Sequence, residues 1–238
     1  MAITAGEILA ELEGLGSVSY KKTLMTNHGV REPFFGVKVG DLKKIQKRVK
    51  TDYRLALDLW ESGNYDAMYL AGLIADDARM TKKDLARWVA KAERGALASA
   101  TVAWVAAGSP HGPELAREWI DSSKSHVAVA GWSTWSSLVA TRADSELDIA
   151  ELKKLLARVA KTIHAAPDHV RAAMNGFVIA LGSCVTPLHE LAIATGKKIG
   201  AVTADLGHNA CRIPYAPDYI AKVAARGSIG AKRRTAKC

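Results

Sequence analysis

Cysteine is scarce in this chain: Cys184, Cys211 and Cys238 are odd in number and far apart. That excludes a disulfide framework or a cysteine-based zinc ribbon, and it suits a reducing compartment. The seven histidines are scattered. His164 and His169 straddle a turn without a carboxylate–cysteine cluster beside them, so no metal and no cofactor is expected. No stretch approaches the roughly 18 uncharged apolar residues of a membrane span. The start, Met1-Ala2-Ile3-Thr4 followed by Glu7, Glu11 and Glu13, lacks the basic and apolar regions of a signal peptide. A cytoplasmic protein without a membrane partner is the expectation. Familiar catalytic signatures are missing too: no Gly-x-Ser-x-Gly elbow, no His-Glu-x-x-His, no Walker loop and no dinucleotide fingerprint. Gly227-Ser228-Ile229-Gly230-Ala231-Lys232 is glycine-rich and basic, but no strand leads into it and no helix follows.

What is present is an ordinary globular composition with an uneven charge. Hydrophobic residues at 49% and charged residues at 24% exclude wholesale disorder over the 238 residues. The net charge of +9 is concentrated in two places. Between Ser17 and Arg54 stand ten basic and three acidic residues, a local charge of +7. Between Tyr219 and Cys238 stand six basic residues and no acidic one, while the rest of the chain carries −4. Two basic regions on a mildly acidic body fit a polyanion partner, because Lys and Arg on phosphates release counterions. The second region, with Gly227 and Gly230 among small residues, equally fits a solvated tail, and 223–238 is expected to be disordered.

Hydrophobic periodicity is helical nearly throughout. Thr4-x-x-Glu7 is a capping box before Ile8, Leu9 and Leu12. Leu42, Ile45 and Val49 form one face of a helix whose other side carries Lys43, Lys44, Lys47 and Lys50. Asp52 caps the next helix, and Thr81-x-x-Asp84 opens another. The segment 65–75 is almost wholly apolar and belongs at the centre of the packing. Further helices are expected over 96–107, 114–121, 126–139, 148–164, 168–181 and 187–197. A dozen helices joined by short turns predict an all-α, HEAT-like helical-repeat solenoid of stacked antiparallel helix pairs, curved with a concave basic face. One domain over 1–222 is expected, as a monomer. Among the tryptophans, Trp119 and Trp132 have core spacing. Trp104, just ahead of a helix-ending Gly108, could offer its indole to a base or sugar.

Several motifs carry a family resemblance. Pro33-Phe34-Phe35-Gly36-Val37, followed by Asp41-Leu42-Lys43-Lys44-Ile45, resembles the entry loop and helix of the AlkD-type DNA alkylation repair proteins. Leu59-Trp60-Glu61-Ser62-Gly63 with 70–76, Glu118-Trp119-Ile120 and Val170-Arg171-Ala172-Ala173-Met174 continue the match in order, from about Tyr20 to Leu191. The resemblance implies a HEAT-like solenoid that grips duplex DNA, alkylated or distorted, with Lys21, Lys22, Lys38, Lys43, Lys44, Lys47, Trp104 and Arg171 as the DNA-binding residues. Family members excise N3- and N7-alkylated purines. Their lesion site reads Trp, three residues, Asp; here Trp104 is followed at that spacing by Gly108. The family arginine would fall within Val127-Ala128-Val129, and the later tryptophan at Gly176 or Phe177. Glu118 and Asp121 are the nearest alternative carboxylates, with no spacing that demands either. Three functions therefore stand open: a DNA-binding protein without standard glycosylase chemistry, an active alkylpurine glycosylase, and a protein-binding repeat scaffold.

Overall fold

The computed structural model describes residues 3–93, 95–207 and 212–237. Among these residues there is no strand, and thirteen α-helices follow one another. They are α1 (Ala5–Gly14), α2 (Val18–His28), α3 (Val39–Val49), α4 (Tyr53–Glu61), α5 (Tyr65–Ile74), α6 (Lys82–Lys91), α7 (Ala103–Gly108), α8 (Gly112–Trp119), α9 (Ser125–Thr141), α10 (Ile149–Thr162), α11 (Asp168–Cys184), α12 (His189–Ile199) and α13 (Ala216–Ala225). No single helix among them is long and apolar enough to cross a membrane. Cys211 and Cys238 lie outside the described residues, and Cys184 is a free, half-buried thiol.

Local chemistry starts the helices where the sequence predicts. Thr4 and Glu7 form the reciprocal capping box of α1, and Thr81 and Asp84 that of α6. Asp52 accepts from the Leu55 N–H at 2.9 Å, and Asn64 accepts from Asp66 and Ala67 to start α5. The helix 97–108 departs from expectation in its first half: Leu97–Val102 is π-helical before α7 begins.

Where the sequence suggests one continuous domain, the described residues gather into two compact units. The first holds residues 3–93 and 95–111 together with Gly207 and Lys237, the second residues 112–206 and 212–236. In the first, α5 is the central element, packed by α1, α3, α4 and the π-helical turns. Nine of its ten residues are buried, as its almost wholly apolar sequence demands. Trp60 of α4 and Trp88 of α6 stack at 4.3 Å with rings nearly parallel. Outside that stack, Glu61 receives Arg87 at 2.6 Å and Lys91 at 2.5 Å. In the second unit α9 and α11 form the spine, with α8 on one and α12 and α13 on the other. Trp132 meets Phe177 across that spine at 5.3 Å. Trp119 and Trp132 are core residues as expected.

One carboxylate organises the loop between α2 and α3. Asp66, in the first turn of α5, accepts the backbone N–H groups of Phe35, Gly36 and Val37 at 2.7, 2.9 and 3.2 Å. Burial pushes its carboxyl above the usual range, and the three donors pull it back. Phe34 and Val37 are thereby seated in the core. Gly36 has φ +80° and lies against α2 so closely that a Cβ would meet Lys21 backbone atoms at 2.8 and 2.9 Å. Only glycine fits both conditions.

The C-terminal region corrects the sequence reading twice. The composition-based reading missed α13, which begins with Pro217 in its first turn and buries Ile220 against Gly182 of α11. The expected disordered tail instead follows a defined path. Lys232 donates to Val139 O at 2.8 Å and pairs with Asp144 at 2.8 Å, and the Arg233 N–H reaches Ala140 O at 2.7 Å. Lys237 donates to Ala75 O and pairs with Asp77, both at 2.8 Å. A basic segment without acids of its own finds its counter-charges on distant helix ends, which composition does not register.

Replacing Asp66 with alanine leaves three inward N–H groups without their acceptor. A loss of about 3 kcal/mol is expected, taking about 1 kcal/mol per orphaned donor at the low end of the usual range. Urea unfolding of Asp66→Ala checks it, and a midpoint equal to wild type would contradict the assigned role.

Candidate nucleic-acid interface

The basic side chains between Ser17 and Arg54 divide into those spent on the fold and those left over. Lys21 is spent: its ammonium pairs with Glu32 at 2.6 Å and lies 4.9 Å from the centre of the Phe34 ring. Lys44 pairs with Asp41 at 2.7 Å within α3 but keeps a side chain 79% exposed. Arg48 forms a two-pronged pair with Glu11, tying α3 to α1, and Arg54 pairs with Asp58 at 3.1 Å. Lys22, Lys38, Lys43, Lys47 and the exposed Lys50 make no ion pair among the described residues. Lys22, Lys38 and Lys47 are exposed, and Lys43 is half-exposed. Lys43 and Lys47 are i,i+4 neighbours on α3, since Leu42 and Ile45 take the inner face. Their charges are therefore available to an external anion.

Arg171 is placed differently from the other predicted DNA-binding residues. Its guanidinium donates to Ala166 O at 2.9 Å and Thr203 O at 2.6 Å, and reaches Asp168 at 3.6 Å. One turn on, Asn175 donates to Pro214 O at 3.0 Å. These two α11 side chains hold Thr203 and Pro214, which lie between α12 and α13, and that is what Arg171 is used for in the fold.

Trp104 stands half-buried on α7, with Tyr69 of α5 edge-on at 5.7 Å. One turn later comes Gly108, at the end of the helix. Its surroundings explain the glycine. A Cβ there would stand 2.3 Å from Oδ2 of Asp77 and 2.9 Å from its Cβ and Cγ. The space a side chain at 108 would fill already contains a carboxylate, brought by the 3-10 turn Asp77–Arg79 that packs on α7. Burial pushes the Asp77 carboxyl up to about 6, opposed by the Lys237 ammonium beside it. Asp77 is not legible from the sequence, because it stands 31 positions from Gly108 and no motif marks it. Trp104, Tyr69, Gly108, Asp77 and Lys237 thus form one constellation within the first unit.

In the second unit the other predicted positions carry less. Val127, Ala128 and Val129 are buried, with no arginine among them. Gly176 faces open space, and Phe177 is core. Of the two alternative carboxylates, Glu118 is exposed and Asp121 pairs with Arg158 at 2.7 Å. Arg158 and Asp121 line an open cleft of about 340 Å³ with Trp132, Val170 and Met174. No cluster of metal-binding side chains occurs among the described residues.

Comparison with known proteins agrees on one lineage. The family model for DNA alkylation repair enzymes matches residues 8–220. Two uncharacterised proteins, from Listeria innocua serovar 6a and Listeria monocytogenes serovar 1/2a, are each 31% identical to the chain over 225 residues. Each match covers 92% of the chain and 97% of the relative. A solved structure from a family related to the HEAT-like repeat DNA glycosylases, with affinity for branched DNA structures, superposes with a TM-score of 0.91. It is 34% identical, and the match covers 99% of this chain and all of that one. The all-α, HEAT-like repeat fold expected from the sequence is thereby established.

The crowding at Gly108 generates a test. Gly108→Ala should destabilise the fold by about 1–3 kcal/mol, as overpacking does. Combining it with Asp77→Ala should recover part of that loss, because Oδ2 at 2.3 Å and Cγ are gone while the Cβ at 2.9 Å stays. A thermal-melt double-mutant cycle measures the coupling, and strict additivity would contradict the shared space.

Proposed function

Because the chain belongs to the DNA alkylation repair enzyme family, we propose that it binds duplex DNA at distorted or branched positions and does so without standard glycosylase chemistry. The observation that carries this reading is the set of five lysines, Lys22, Lys38, Lys43, Lys47 and Lys50, left unpaired in a stretch of local charge +7. Lys21, Arg48 and Arg54 of the same stretch are matched to carboxylates, and these lysines are not. Ammonium groups on adjoining elements neutralise phosphates irrespective of base sequence, and such contacts set affinity and register. Lys44 joins them once its exposed chain leaves Asp41. Trp104, half-exposed beside Tyr69, supplies an aromatic face against which a base or sugar can pack. The solved relative's affinity for branched DNA favours a distorted substrate over a regular duplex.

The case against base excision is chemical. Departure of an alkylated purine leaves an oxocarbenium-like sugar, which a free carboxylate nearby would stabilise. Gly108 supplies none. The carboxylate of Asp77 in that space is already matched by an ammonium at 2.8 Å, so its field is largely cancelled. Asp77 is also the one observation that favours the competing reading of an active glycosylase.

Two measurements decide between them. Affinity for a four-way DNA junction should fall steeply with salt, with a log–log slope near −3 to −4 if about four phosphates are contacted. The pair Lys43→Glu with Lys47→Glu should weaken binding by about tenfold or more at low salt, and undiminished binding would remove these lysines from the interface. Methylated duplex DNA incubated with excess protein should release no purine. Base release abolished by Asp77→Asn would establish the glycosylase instead.

A further inference from the structure

The pairing of Asp77 with Lys237 has a consequence for any anion that approaches Trp104. We propose that Lys237 is a built-in counter-ion that neutralises Asp77, and so keeps the Gly108 end of α7, one turn from Trp104, open to a nucleic-acid backbone. This rests on the DNA-binding reading above.

The geometry is specific. The Asp77 carboxylate fills the space beside Gly108, one helical turn from the half-exposed Trp104. Its side chain retains 22% exposure, so its charge is felt at the surface and not only inside. Lys237, with a side chain only 13% exposed, is held by two acceptors at once, the Asp77 carboxylate and the Ala75 carbonyl at the end of α5, each at 2.8 Å. A lysine seated this deeply on two partners is a structural component of the site, unlike the exposed lysines of α3. Helix α7, which packs on the turn, has no titratable residue in Ala-Trp-Val-Ala-Ala-Gly. On the turn's own side Asp76 adds a second negative charge that raises the Asp77 carboxyl further. Arg79 is turned toward the ring of Tyr53, 4.6 Å from its centre. Of the charges nearest Asp77, Lys237 is therefore the one positioned to cancel it. Without it, an ionised carboxylate beside Trp104 would repel the phosphates that the lysines of α2 and α3 attract.

The test uses the full chain and a labelled four-way DNA junction at low salt, with K237A, D77N and the double variant D77N/K237A. Above the titration range of Asp77, at pH 8.5, K237A carries one uncompensated negative charge and the double variant none. The double variant should then bind about fivefold tighter than K237A, the factor expected from one close charge in a high-dielectric setting. At pH 5.5 the carboxyl of K237A is protonated and the two should converge, while D77N alone should bind at least as well as wild type. Equal affinities of K237A and D77N/K237A at pH 8.5, with wild type binding normally, would overturn the proposal: Lys237 would then be an ordinary phosphate contact. Failure of wild type to bind DNA at any salt would overturn the DNA-binding reading and this proposal with it. A readout without DNA checks the pair itself. The carboxyl carbon of Asp77, followed by NMR, should titrate at higher pH in K237A than in wild type, and an unchanged titration would show that no such pair forms.

Discussion

The carboxylate of Asp66 is the interaction on which the first unit depends. Placed in the opening turn of the most deeply buried helix, it gathers three consecutive backbone N–H groups of the loop 35–37. A loop of that kind, flanked by buried Phe34 and Val37, would otherwise bring bare amides into an apolar interior, a cost of about 1–3 kcal/mol each. By absorbing them, Asp66 sets where α3 begins and how closely Gly36 approaches α2. The lysines that reach outward from these helices owe their positions to a group that never touches a ligand. The most distinctive stretch of the sequence, Pro33-Phe34-Phe35-Gly36-Val37, is therefore a structural motif first, and its bearing on function is indirect.

Charge in this protein is sorted by the fold. A uniform basic surface would be expected from counting residues between Ser17 and Arg54, yet Lys21, Arg48 and Arg54 are matched to Glu32, Glu11 and Asp58. Arg171, equally basic in the sequence, is consumed by backbone carbonyls. The remainder, Lys22, Lys38, Lys43, Lys47 and Lys50, is smaller than the count suggests but unburdened. The C-terminal stretch shows the opposite displacement. Counted as a solvated tail, it places Lys232 and Lys237 on half-buried aspartates, each also holding a carbonyl at the end of a helix.

At Gly108 the sequence reports an absence and the structure reports an exchange. Read along the chain, the family spacing from Trp104 ends on a residue without a side chain. In space, the volume that the side chain would have used is filled by Asp77, 31 positions earlier. The glycine is thus a condition for the close approach of the turn 77–79 to α7, as well as a departure from the family pattern. A carboxylate in that place is nevertheless electrostatically different from a free one, because it arrives with its own ammonium.

Much of this protein was legible without coordinates, for physical reasons that are local. Helix starts at Thr4, Asp52 and Thr81 follow from side-chain oxygens that reach N–H groups three residues on, and the buried centre at 65–74 follows from a segment apolar but for Asp66 near its start. The family motifs carried the fold and the region of excess charge. Three things were decided only by tertiary packing: α13, whose amphipathic face has meaning only against α11; the division of lysines into paired and unpaired; and the meeting of Gly108, Asp77 and Lys237. Each depends on groups far apart in sequence being brought within van der Waals or ion-pair distance. No periodicity, capping rule or charge count acts over that range, so only the folded chain could bring those groups together.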